Sequence, residues 1–166
     1  MKRFSILASA SLILAMTVPA GGIQAENTVK NKLNGVILGG YIGSRIDGCI
    51  AKRVKTQNVD ELVNVFRRQD EVKELWGSEF WGKWVQGAVA SYRYCGDKQL
   101  FDIIKASEDK LMSCQMKDGY IGNYDKARQL TGWDVWGRKY TLLGLIKWHW
   151  LTGDKRALKA ACRLLD

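Results

Sequence analysis

Apolar positions recur at helical spacing along most of the chain. Between residues 100 and 114 they fall at Leu100, Ile104, Ser107, Leu111 and Cys114, with Lys105, Glu108 and Asp109 between them. Steps of three and four give one apolar stripe and one wet face, the pattern of an amphipathic helix. The stretch YTLLGLIKWHWL (140–151) is different, being apolar almost all round, and predicts a helix buried on most sides. Upstream, Ile42, Ile46, Ile50 and Val54 recur every four residues, and NVDELVNVF opens with a residue suited to cap a helix.

The same layout occurs twice. CGDKQLFDIIKASED (95–109) matches TGDKRALKAACRLLD (152–166) at an offset of 57. That offset also sets Trp76 on Trp133 and Gly87 on Gly144. Each copy reads as a tryptophan-rich entry, an apolar helix, a Gly-Asp-Lys turn and an amphipathic helix. Gly96 and Gly153 stand where a helix ends, and Asp97 and Asp154 stand where the next is capped. Gly87 and Gly144 fall mid-helix, where glycine costs about 1 kcal/mol relative to alanine, so a close helix–helix approach is expected at both.

Each copy is therefore a helical hairpin with a buried inner and a half-wet outer helix, and one more hairpin-like unit precedes them. The fold class expected is all-α, an incomplete (α/α)6 toroid with a repeat of about 57 residues, since six such units would take about 342 residues. A small standalone helical domain, or a dimer that completes the core, is the alternative.

Residues 1–25 form a separate object. Lys2 and Arg3 precede an apolar run and two small-residue cleavage sites, VPA and IQA, which reads as a secretory signal peptide. The run is short for a membrane anchor. Residues 26–39 read as a linker and 40–166 as the helical domain. An exported protein, periplasmic or extracellular, with no membrane attachment after cleavage, is the expectation. Removing the leader lowers the formal charge from +9 to +7. The positive residues are scattered except in AKRVK (51–55) and VFRRQ (65–69), which fits a solvated basic surface and no nucleic-acid partner. The four cysteines contain no CxxC pair, so they predict neither a zinc site nor, for Cys95 and Cys114 at opposite ends of one helix roughly 25 Å long, a disulfide. Buried free cysteines are expected.

The hairpin reading also assigns ends. The Gly-Asp-Lys turns share one face, and the links DGYIGNY (118–124), GWDVWGRKY (132–140) and WGSEFWGKW (76–84) share the other. The link face collects Trp76, Trp81, Trp84, Tyr120, Tyr124, Trp133 and Trp136, with polar residues that include Glu79, Asn123, Asp134, Arg138 and Lys139. Aromatic faces beside fixed hydrogen-bonding groups suit sugars. Helix packing is the competing reading, favoured for Trp81, Trp84, Trp148 and Trp150. His149 falls near the turn end and reads as a packed or surface histidine.

Taken together, GYIGSRIDGCIAKRVKTQNVDELVNVFRRQ, WGSEFWGKWVQGAVASYRY, CQMKDGYIGNY and WDVWGRKYTLLGLI…LTGDK resemble the N-terminal catalytic region of glycoside hydrolase family 127. The resemblance runs from about residue 40 to 166. It implies an (α/α)6 barrel and a β-L-arabinofuranosidase acting on arabinose-containing oligosaccharides or polysaccharides. It further implies retaining hydrolysis by a zinc-bound cysteine thiolate with a glutamate acid/base. No cysteine or glutamate here matches those motifs, so no catalytic residue, metal ligand or cofactor is assigned to this chain. Zinc belongs to the complete family enzyme, and the chain alone is expected to be inactive. By position, Glu79, Tyr120, Asn123, Trp133, Asp134, Trp136 and Lys139 are expected to contact substrate. A non-catalytic glycan-binding module, or another (α/α) toroid carbohydrate enzyme, is the alternative.

Overall fold

A computed structural model describes residues 36, 38–68 and 76–166. The expected leader and most of the expected linker lie outside the described residues. The described part is helical throughout: α1 (Gly40–Cys49) runs into a π-helical turn (Ile50–Val54), followed by α2 (Val59–Arg67), α3 (Glu79–Cys95), α4 (Lys98–Met112), a 3₁₀ turn (Lys126–Arg128), α5 (Asp134–Thr152) and α6 (Lys155–Leu165). Among the described residues there is no strand.

The two turns expected from Gly-Asp-Lys are built alike. Gly96 and Gly153 close α3 and α5 at φ 66° and 76°, the left-handed region that a side chain disfavours. Asp97 then accepts from the Leu100 N–H and Asp154 from the Arg156 N–H, capping α4 and α6. Asn58 caps α2 in the same way through the Glu61 N–H. Lys55, just past the π turn, pairs with Asp97 at 2.9 Å and ties the first hairpin to the second.

Among the described elements, inner helices α3 and α5 make the largest contact, and the pairing of their first turns shows that they run parallel. A Cβ on Gly137 would stand 2.1 Å from Ser78 Oγ, one on Gly82 would stand 2.1 Å from the Tyr140 carbonyl, and one on Gly144 would meet the Trp81 ring at 2.4 Å. The close approach expected at Gly144 is therefore present. At Gly87 it is not: that position is exposed, with nothing within 4 Å of an added Cβ. The helices touch near their starts, so Gly82 fills the role assigned to Gly87.

Outer helices α4 and α6 cover the inner pair, with α2 against α4. Leu100, Ile104 and Leu111 of α4 are fully buried, each worth about 1.5–3 kcal/mol. Trp81 is fully buried as well and donates to Ser107 Oγ at 2.8 Å. Ser107 thus belongs to the apolar stripe because it satisfies an indole inside the core. Glu108 departs from expectation. Assigned to the wet face, it has no exposed surface, because that side of α4 looks toward the start of α6.

Three further differences are present. The four-residue spacing of Ile42 to Val54 continues through a π turn, whose Lys55 N–H bonds the Ile50 carbonyl at 3.0 Å; Ile50 is buried and Ile42 exposed. Helix α5 packs chiefly on α3 and α6, so Thr141, Leu145 and Trp148 are buried while Trp150, expected to pack, is 52% exposed. The cysteines are free as expected but not buried: Cys49, Cys95 and Cys162 are exposed and Cys114 is half-buried.

Candidate functional site at the link face

The parallel inner helices place their first turns side by side, and the link from α4 to α5 folds over them. That link is organised by a buried polar network. The Tyr120 hydroxyl donates to Asp134 Oδ1 at 2.6 Å and accepts from the Tyr124 N–H at 2.9 Å. Asp134 Oδ2 accepts from the Leu130 N–H at 2.7 Å and from Arg138 Nε at 2.9 Å. The Arg138 guanidinium lies 4.5 Å from the Tyr120 ring centre, and its Nη2 reaches Gln129 Oε1 at 3.2 Å. The Tyr124 hydroxyl accepts from the Trp133 N–H at 3.2 Å.

Burial, followed by the Asp134 carboxylate it bonds, holds the Tyr120 phenol far above its ordinary pKa. It therefore stays a donor. Leu130 sits at φ 61°, a left-handed conformation that is uncommon for leucine. The Asp134 carboxylate holds its N–H there, and strain of this kind persists only where surrounding bonds over-determine it.

Above this network lies an open aromatic rim. Trp133 is 54% exposed, and Trp136, Trp76 and Phe80 are between 39% and 44% exposed. Glu79 is at its centre, with both carboxylate oxygens engaged. Oε2 accepts from the Trp136 indole N–H, and Oε1 pairs with Lys83 at 2.8 Å. Burial opposes its ionisation, but the bonds from Lys83 and Trp136 and the nearby Lys139 charge outweigh that, so its pKa is lowered. Lys139 Nζ rests 3.5 Å from the Trp136 ring centre and 4.5 Å from that of Tyr140. Lys83 lies 4.9 Å from the same Tyr140 ring.

The residues expected from sequence thus divide into two groups. Glu79, Trp133, Trp136 and Lys139 share the open rim. Tyr120, Asn123 and Asp134 are buried beneath it, each at most 3% exposed. Trp81, Trp84 and Tyr124, also expected on this face, point inward; Trp84 donates to the Val54 carbonyl at 3.1 Å. Phe80, Lys83 and Tyr140 were not singled out by sequence. The Glu79–Lys83 spacing of four, on a helix, was the signal available for one of them. His149 stands at the opposite end, its Nδ1 3.0 Å from the Asp154 carbonyl oxygen.

The zinc implied by the resemblance does not fit the described residues. No group of three or more His, Cys, Asp or Glu among them could hold a metal ion, and the cysteines are dispersed. What the rim can do is hold a sugar: open indole for stacking, an ionised carboxylate and two ammonium groups for hydroxyls, with a rigid floor.

Hairpins of parallel inner and covering outer helices, with an aromatic rim at one end, are the parts of an α/α toroid carbohydrate enzyme. Comparison of the sequence with family models agrees: residues 40–166 match the model described as β-L-arabinofuranosidase, GH127 catalytic domain, and the chain belongs to that glycoside hydrolase family. Among curated proteins, none matches the chain. No described helix is long and apolar enough to cross a membrane.

Proposed function

We propose that this chain supplies the sugar-contacting end of an exported glycoside hydrolase, periplasmic or extracellular, that acts on terminal β-L-arabinofuranosides of plant glycans. The rim carries the reading. Trp133 presents an open ring to the C–H face of a sugar. Glu79, held ionised, accepts hydroxyls and is poorly suited to donate a proton. Tyr120, Asp134 and Tyr124 act from below by fixing the link that carries Trp133, and Asn123 is buried in the same floor. The nucleophile and zinc of the family chemistry find no counterpart among these residues, so the chain by itself binds sugar without cleaving it.

Titration of the purified chain with arabinan-derived oligosaccharides, beside an assay on an aryl β-L-arabinofuranoside with added zinc, tests both halves. Saturable binding, weakened about tenfold by Trp133→Ala, with no aryl release, is the expected outcome. Binding indifferent to Trp133→Ala, or aryl release abolished by Glu79→Gln, contradicts it.

A further inference from the structure

The charges on the rim do not balance. The Glu79 charge is already answered by Lys83 and the Trp136 indole, and Asp134 answers Arg138. Lys139 makes no ion pair among the described residues; its ammonium lies over Trp136 and Tyr140. Other lysines also lie against rings, Lys147 over Trp150 and Lys83 over Phe80, but Lys147 is on the far part of α5 and Lys83 has Glu79 as its partner. Lys139 is the exposed ammonium that lies across two rings at the rim without a carboxylate partner among the described residues. It also occupies one face of Trp136, and Trp133 is the more exposed of the two rings. Salt-bridged Lys83 lies 4.9 Å from the centre of the same Tyr140 ring and adds to the positive field.

We propose that Lys139 reads a carboxylate, so that the rim prefers a glycan in which the bound sugar neighbours a uronic acid. The inference rests on the sugar-binding reading above and names the substrate feature that reading leaves open. An incoming carboxylate pairs with the Lys139 ammonium beside Trp136. Glu79 keeps its own partners and repels a carboxylate placed deeper, which confines the acidic group to the mouth. A neutral oligosaccharide gains nothing from the surplus charge.

The experiment compares three ligands on the purified chain by calorimetric titration: a neutral arabino-oligosaccharide, one of the same length bearing a single uronic acid, and its carboxyl-reduced counterpart. The acidic ligand is expected to bind about fivefold tighter than its reduced form at low ionic strength, and the ratio should shrink toward one at ~0.5 M salt. Lys139→Met, which keeps an apolar stem, should bring the ratio to one, and Lys139→Arg should restore it. The ratio isolates charge recognition, since general damage to the rim weakens all three ligands together. Equal affinities for the acidic and reduced forms, with the neutral ligand bound, would overturn the proposal and leave the sugar-binding reading standing. A ratio that survives Lys139→Met would also overturn it. Failure of all three to bind would sink both readings.

Discussion

Glu79 and Glu108 are the same side chain in two layers of the same hairpin, and they have opposite characters. Glu79 opens inner helix α3 at the link face, is nearly covered, and has a partner on each oxygen. Glu108 lies near the end of outer helix α4, is fully buried, and has no hydrogen-bond partner on either oxygen among the described residues. Burial first, then the Asp154 and Asp109 charges, push the Glu108 pKa well above the ordinary value. Cover alone therefore does not set the charge of a carboxyl in this protein. The partners do: Asp134 and Glu79 at the link face and Asp97 and Asp154 at the turns are all supplied, whereas Glu108 between the layers is not. The outer layer carries a polar group that costs stability, and the link face carries a network that fixes a surface.

The largest effect should come from breaking the supplied side. Asp134→Ala removes a buried carboxylate that accepts from the Tyr120 hydroxyl, the Leu130 N–H and Arg138 Nε, and leaves the buried Tyr120 hydroxyl and half-buried Arg138 Nε without it. A loss of about 3–5 kcal/mol is expected, read as a lowered denaturant midpoint. On the unsupplied side the sign reverses. Glu108→Leu removes a carboxyl that nothing answers and keeps a similar volume, so stability at neutral pH should rise by about 1–3 kcal/mol.

The pH profile sharpens the same contrast. Glu108 has a folded pKa above its unfolded value of 4.5, so its contribution is fully present below 4.5 and is lost as pH rises toward the folded pKa. Asp154 is the opposite case. The Arg156 guanidinium bonded to it lowers its pKa from 3.8 to about 2, so its contribution is present above 3.8 and lost as pH falls toward 2. Stability measured against pH should fall on both sides of this narrow window. Glu108→Gln should flatten the alkaline side and leave the acid side unchanged; an unaltered alkaline slope would remove Glu108 as its cause. Glu79→Gln should have the smallest effect on folding, below about 1 kcal/mol, because Lys83 is partly solvated. Its effect should fall on sugar affinity instead.

Much of the architecture is legible in the sequence because it depends on local chemistry. Asp97, Asp154 and Asn58 cap helices wherever such residues precede an apolar run. Gly96 and Gly153 end helices for a reason internal to the backbone. What depends on how helices meet is harder to read. Gly87 matches Gly144 in the repeat, yet only Gly144 is in close contact, and Gly82 and Gly137 take up the rest because the helices approach most closely near their starts. Glu108 sits among charged neighbours in sequence, but the side of α4 it occupies is set by the arrival of α6 from far along the chain. The rim shows the same split. Trp133, Trp136, Glu79 and Lys139 could be grouped from the links alone. The division between open rim and buried floor could not, because it depends on Tyr120 reaching Asp134 across a folded link.

Indole N–H resonances locate the sugar site most directly, since seven tryptophans are spread over both ends of the hairpins. A ¹H–¹⁵N correlation series recorded while an arabinan-derived oligosaccharide is added should move the Trp133 and Trp136 signals and leave exposed Trp150, at the turn end, in place. Shifts centred on Trp150, or no shift at millimolar ligand, would contradict a sugar site at the link face.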